Sequence, residues 1–226
     1  MDPPITVSQM YDIENRGHDM GFLKKFMMEN AGAAAARRLV EAVRAKGHDM
    51  AGKHVLVAAG LGNNGGDGMV VARHLAGYGA RPAVHLLGSP GMIKTEESRW
   101  NWSLLERMPG SVSLVACGAA FVPPSGTPDI LVDAIFGTGI TGSIREPYSS
   151  AIAYINEQQG PFKMAVDVPS GLDPQTGETA NIHTACDMTV TFHRMKQGIP
   201  RRPDLTGALH TEKIGIPPEA EAGIVS

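Results

Sequence analysis

HVLVAA (54–59), GLGNNGGDG (60–68), MVVARHLAG (69–77) and PAVHLL (82–87) follow one another with only YGAR between the last two, and this stretch decides the fold. The run at 54–59 is apolar and rich in valine, as a short strand requires. The segment at 69–77 puts Val70, Val71 and Leu75 on one helical face. The run at 82–87 reads as a second strand. A strand, a glycine turn, a helix and a strand make one βαβ unit, the crossover that joins parallel strands. Near-continuous apolar runs, rather than alternation, fit strands covered on both faces.

The pattern continues outward. Further strands are expected at 111–115, 130–135, 164–168, 188–192 and 209–214, with helices at 95–107 and 148–157. Upstream, Ser8 is placed to cap a short helix over 9–17. A long helix is expected over 27–46, built on Ala31, Ala33, Ala34, Ala35 and Ala36 and stopped by Gly47. The expectation is a three-layer α/β sandwich with a mostly parallel central sheet, one domain over 1–226, and residues 1–50 as an N-terminal helical extension. Right-handed crossovers put helices on both faces.

Composition narrows the function. Hydrophobic residues make up 42% and charged residues 19%, which excludes a disordered chain. A net charge of −3 argues against a general nucleic-acid binder. No apolar run reaches the roughly 18 residues of a membrane span, and the opening Met1-Asp2-Pro3-Pro4 has no leader pattern. Cys117 and Cys186 form no CxxC pair, which fits a reducing compartment. A cytoplasmic location without membrane or nucleic-acid partners is expected.

Ligands of such sheets bind beyond the carboxyl ends of the strands, so the residues after each strand matter most. After 54–59, Gly60, Gly62 and Gly65 satisfy G-x-G-x-x-G, but no acidic residue follows the second strand as a classical dinucleotide site would have. The next helix is expected to start about Asp67, leaving free N–H groups for an anion. The glycines serve either such a ligand or close strand–helix packing. After 130–135 come Phe136, Gly137, Thr138, Gly139, Ile140, Thr141, Gly142 and Ser143, then Arg145, which faces a phosphate or solvent. Asp133 sits in the end of that strand, where a carboxylate needs a partner. Asp167 is expected next to last in the strand 164–168. It serves there as a reacting group or as the cap of the turn Pro169-Ser170-Gly171. Asn64, Asp133 and Ser170 are hard oxygen donors with no zinc-type cysteine or histidine cluster beside them. Lys196 follows the strand 188–192, facing either the same rim or solvent.

MENAG (28–32), GNNGGDG (62–68), DAIFGTG (133–139), DVPSGLD (167–173) and TF-x-x-x-K (191–196) stand in the order found in the NAD(P)H-hydrate epimerases, the YjeF N-terminal domain family, which this chain resembles along most of its length. Gln197 and Leu61 stand where that family often has proline. The resemblance implies a Rossmann-like sheet, a homodimer, and epimerisation of the R and S forms of NADHX and NADPHX, with an S-specific dehydratase as a separate protein. It implies a potassium ion (K+) on Asn64, Asp133 and Ser170. It implies substrate binding by Asn63, Asn64, Gly65, Gly66, Asp67, Gly137, Thr138, Gly139, Ile140, Thr141, Gly142, Ser143 and Asp167. Asp167 is the leading acid/base candidate, and Lys196 follows it. The alternative is a non-catalytic module of the same fold that senses nucleotides or binds a protein. An intact set of polar positions favours the enzyme.

Overall fold

The computed structural model describes residues 3–139 and 142–225. Two helices open it, α1 (Val7–Asp19) and α2 (Lys24–Ala45). Then follow β1 (His54–Ala59), α3 (Asn63–Gly77), β2 (Arg81–Leu86), α4 (Glu96–Leu105) and β3 (Ser113–Ala116). The second half carries β4 (Ile130–Ala134), α5 (Tyr148–Glu157), β5 (Phe162–Val166), β6 (Met188–Phe192), the short α6 (Pro203–Thr206) and β7 (Ala208–Glu212).

All seven strands lie in one sheet in the order β3-β2-β1-β4-β5-β6-β7, and every pairing is parallel. The period of two sorts β1 and β4 between two cores. Val55, Val57 and Ala59, with Ile130, Val132 and Ala134, join the core shared with α2 and α3. Leu56, Ala58 and Leu131 join the core of Ile152 and Ile155 from α5. The sheet therefore carries helical layers on both faces. Each fully buried Leu, Ile or Val side chain contributes about 1.5–3 kcal/mol to that arrangement. Among the described residues no helix is long and apolar enough to cross a membrane.

The chain leaves β1 toward β2 on one side, and β4 lies on the other. That reversal opens a crevice between the loops following β1 and β4, the usual ligand position in such sheets. Three differences from the sequence expectations bear on this crevice. First, α3 begins at Asn63, not near Asp67, so most of the glycine segment is helical. Packing overrides the poor helix propensity of glycine here. A Cβ on Gly66 would stand 2.3 Å from Ser98 Oγ, and one on Gly68 2.4 Å from Ala134 Cβ. Second, Thr6 rather than Ser8 caps α1. The Gln9 amide donates to Thr6 Oγ1, and the Gln9 side chain accepts from the Thr6 amide. Third, β5 stops at Val166, and Asp167 turns out of the sheet with φ of 63°.

Close approach makes two glycines obligatory. A Cβ on Gly65 would lie 1.9 Å from the Gly60 carbonyl oxygen, and one on Gly60 2.0 Å from that of Ile135. Nothing lies within 4 Å of a Cβ on Gly62. Gly65→Ala therefore lowers stability by about 1–3 kcal/mol, the usual cost of overpacking. Gly62→Ala stays within about 0.5 kcal/mol of the parent. Urea melts of the two variants check this; equal midpoints would contradict it.

Candidate active site

The crevice holds a pocket of about 340 Å³, lined from five directions. Tyr11 and Glu14 come from α1, and Asn63, Asn64 and Asp67 from the start of α3. Phe136, Gly137, Thr138 and Gly139 follow β4, Asp167 follows β5, and Lys196 follows β6. Lys24, Lys94, Thr95 and Glu97 also line it.

Asp167 owes its position to a tight turn. The Val168 amide donates to the Val166 carbonyl (2.8 Å), and the Asp167 amide donates to Val190 in β6 (2.8 Å). A positive φ outside glycine is uncommon and is stored where the surroundings over-determine it. His193, at the end of β6, repeats the turn with φ of 63°. Lys196 Nζ donates to Asp167 Oδ1 (2.8 Å), Thr191 Oγ1 (3.0 Å) and the Phe192 carbonyl (3.1 Å). Thr191 Oγ1 also donates to Asp167 Oδ1 (2.9 Å). All three ammonium protons are thus used, and Lys196 is 2% exposed. Asp167 Oδ2 faces the other way, toward Gly137, where a Cβ would stand 3.1 Å from it. The carboxylate has one oxygen clamped and one turned to the pocket.

Two further carboxyls share this space. Burial pushes the Glu14 carboxyl up to about 7; Lys196 and Lys24 pull it down, and Asp167 pushes it up. Burial also drives Asp67 well above the usual carboxylate range, with Asp167 and Glu14 adding to the rise. Groups able to hold a proton near neutrality therefore stand beside an acceptor.

Under the floor, Asp133 ties three segments together. Its Oδ1 accepts from Ser170 Oγ (2.6 Å) and the Ile135 amide (3.2 Å), its Oδ2 from the Ser170 amide (2.8 Å) and Thr184 Oγ1 (2.6 Å). Burial pushes this carboxyl up, and the bonds from Ser170 and Thr184 pull it down. Ser170 Oγ in turn accepts from the Phe136 amide (2.9 Å). Asn64 is buried beside Gly137 with neither its Oδ1 nor its Nδ2 bonded.

The expected residues divide accordingly. Asn63, Asn64, Asp67, Gly137, Thr138, Gly139, Asp167 and Lys196 line the pocket. Gly65 and Gly66 pack against Gly60, Ser98 and Met28 instead, because they are the contact face of α3. Gly142 and Ser143 are exposed and outside the lining, as is Arg145. Ile140 and Thr141 lie outside the described residues. Asp133 and Ser170 lie beneath the surface, joined to it through Phe136. Sequence reasoning missed Tyr11, Glu14 and Thr184. Tyr11 Oη pairs with Thr138 Oγ1 at 3.0 Å, across a sequence separation that no local pattern reveals. Of the departures, Gln197 Oε1 accepts from Gln175 Nε2 (2.7 Å), and Leu61 is buried against Gly88.

Known proteins resemble this chain. A protein of Nitrosopumilus maritimus named NAD(P)H-hydrate epimerase is 67% identical over 98% of this chain and 99% of its own length. A bifunctional NAD(P)H-hydrate repair enzyme of Methanothermobacter thermautotrophicus is 45% identical over 89% of this chain, which covers 38% of that protein. The crystal structure of the yeast protein ynu0 superposes with a TM-score of 0.75 at 27% identity, over 91% of this chain and 86% of the yeast chain. The family described as YjeF-related protein N-terminus matches residues 24–198, from α2 past Lys196. With the pocket-lining motifs inside that span, the chain belongs to the YjeF-related protein N-terminus family.

Proposed function

We propose that this chain epimerises the R and S forms of NADHX and NADPHX, so that an S-specific dehydratase on another protein restores NAD(P)H. The observation that carries the reading is Asp167, with Oδ1 held by Lys196 and Thr191 and Oδ2 turned into the pocket. In the hydrate a hydroxyl sits on C6, next to the ring nitrogen. The nitrogen lone pair forms the C–N double bond as the protonated hydroxyl leaves as water. A water then adds to either face of the cation and gives up a proton. Asp167 is placed to accept that proton and to face the positive charge. Lys196 orients Asp167, having no ammonium proton left for substrate. Asn63, Asp67 and the 137–139 loop border the ring.

The proposal includes a potassium ion beneath this pocket. Asn64 offers an unpartnered buried amide oxygen, and Asp133 and Ser170 add one carboxylate and one hydroxyl. These are hard oxygen donors with a single carboxylate among them, the set from which a weakly charged cation site would be built. Bound there, the ion would supply a fixed positive charge and no proton chemistry. At a concentration tenfold above Kd it adds about 1.4 kcal/mol of stability. Exchanging choline for potassium should raise Tm by roughly 3–5 °C, and Asn64→Ala should abolish the difference; equal melting in both salts would remove the ion from the proposal.

The reading includes a homodimer in the cytoplasm, and light scattering in solution tests the first of these. The activity itself is tested by incubating purified S- and R-NADHX separately with the protein and separating the forms by chromatography. Each should yield the same mixture. No acceleration over buffer would favour the non-catalytic alternative.

A further inference from the structure

We propose that Glu14, brought to the pocket by α1, is the acid that protonates the departing C6 hydroxyl. The inference rests on the epimerase reading and assigns the half of its proton traffic that Asp167 does not carry. As the hydroxyl leaves, the C6–O bond breaks and its electron pair stays on oxygen. The proton comes from the Glu14 carboxyl, and water departs. The incoming water gives its proton to Asp167, and proton exchange with solvent at the pocket mouth resets both groups.

Three observations place Glu14 in this role. First, it lines the same pocket as Asp67, Asp167 and Lys196 although it precedes them by more than fifty residues. Second, α1 is held firmly over that pocket. Gln9 Nε2 donates to the Ile224 carbonyl (2.8 Å), the Val7 amide donates to Gln175 Oε1 (2.9 Å), and Tyr11 pairs with Thr138. Arg16 donates to the Ala222 carbonyl. Third, the half-buried Glu14 carboxyl makes no hydrogen bond to the described residues, whereas Asp167 is paired with the buried Lys196. A carboxyl in that position is stabilised by keeping its proton or by giving it to a ligand.

The charged surroundings agree. Lys196, Asp167 and Lys24 act on Glu14, and Glu14 acts on Asp67. Lys24 Nζ is bonded to Asn15 Oδ1 (2.7 Å). Lys94 and Glu97 line the same pocket. On the far side of α1, Glu221 is taken by Arg194 and His193. With its carboxyl near 7, Glu14 can both give and regain a proton at neutral pH.

The test compares wild type, Glu14→Gln and Asp67→Asn for S-to-R interconversion from pH 5 to 9, with a melting curve at each pH. Wild-type kcat should fall as pH rises through about 7, where Glu14 loses its proton. Glu14→Gln should lose about 100-fold in kcat and lack that limb, while Asp67→Asn should keep it. Because folding raises the Glu14 carboxyl, its contribution to wild-type stability falls as pH climbs from about 4.5 to about 7. The Tm of Glu14→Gln relative to wild type should therefore rise over that window. An active wild type with a Glu14→Gln variant that keeps its rate and its limb near 7 overturns the inference and leaves the epimerase standing. Parallel melting profiles of the two proteins also overturn it. A wild type that does not interconvert the hydrates fails earlier, at the proposed activity, and the inference falls with it.

Discussion

Asp167→Asn lowers epimerisation by roughly 100- to 10,000-fold, the range for loss of a positioned acid or base. Asparagine keeps the size of the side chain and the hydrogen bond to Thr191. It cannot accept the proton of the returning water, and it no longer answers the charge of Lys196 (2.8 Å away). Substrate affinity should change much less, since Asn63, Asp67 and the 137–139 loop line the pocket independently of Asp167. Lys196→Met is the informative partner variant. It removes the ammonium donor to Asp167 and those to Thr191 and Phe192, so it should also reduce turnover, and should lower Tm by leaving a carboxylate at 13% side-chain exposure without its cation. Both variants should be impaired and less stable, because Asp167→Asn in turn leaves the Lys196 ammonium, 2% exposed, without its counter-charge. Near-normal turnover in Asp167→Asn with a dead, stable Lys196→Met would reverse the two roles. Kinetics over a range of hydrate concentrations, with thermal melts of both proteins, decide between these outcomes.

Asp133→Ala should lower stability by about 3–5 kcal/mol. Asp133 is 1% exposed and accepts four hydrogen bonds. Truncation strands the Ser170 and Ile135 amides and the Thr184 hydroxyl in the interior, where each unsatisfied group costs about 1–3 kcal/mol before relaxation. Part of that is offset because the burial of a carboxylate is relieved. For a chain of this size the expected fall in Tm is on the order of 10 °C. Ser170 would lose its hold and release the Phe136 amide, so the 137–139 loop should loosen and activity should fall as well. A melting temperature within about 2 °C of the parent would show that these bonds do not stabilise the fold.

Much of the fold was legible because the strands are buried on both faces and leave plain apolar runs. His54–Ala59, Tyr148–Glu157 and Met188–Phe192 stand where the sequence places them. The errors have local causes. Val168 is as apolar as the strand before it, so nothing in the run announces that Asp167 turns out of the sheet. The glycines at 65, 66 and 68 look like a loop until Gly60, Met28, Ser98 and Ala134 are seen pressed against them. The cap of α1 was readable after all: Thr6-Val7-Ser8-Gln9 has the spacing of a capping box, and Thr6 outcompetes Ser8 because Gln9 completes the pair. Within the site, the rule that ligands bind after strands found Asn63, Asn64, Asp67, Gly137 and Asp167. It could not find Glu14 or Tyr11, which reach the pocket from a helix ahead of the first strand. Nor does spacing show that Lys196 uses all its donors on Asp167, Thr191 and Phe192.

Epimerisation by reversible loss of the C6 hydroxyl can be followed by incubating pure S-NADHX with the protein in water enriched in oxygen-18 and monitoring both forms by chromatography and mass spectrometry. R-NADHX should carry the label from its first appearance, with label entering the remaining S form as equilibrium is approached. R-NADHX formed without label, or no R-NADHX beyond the uncatalysed rate, would contradict that mechanism.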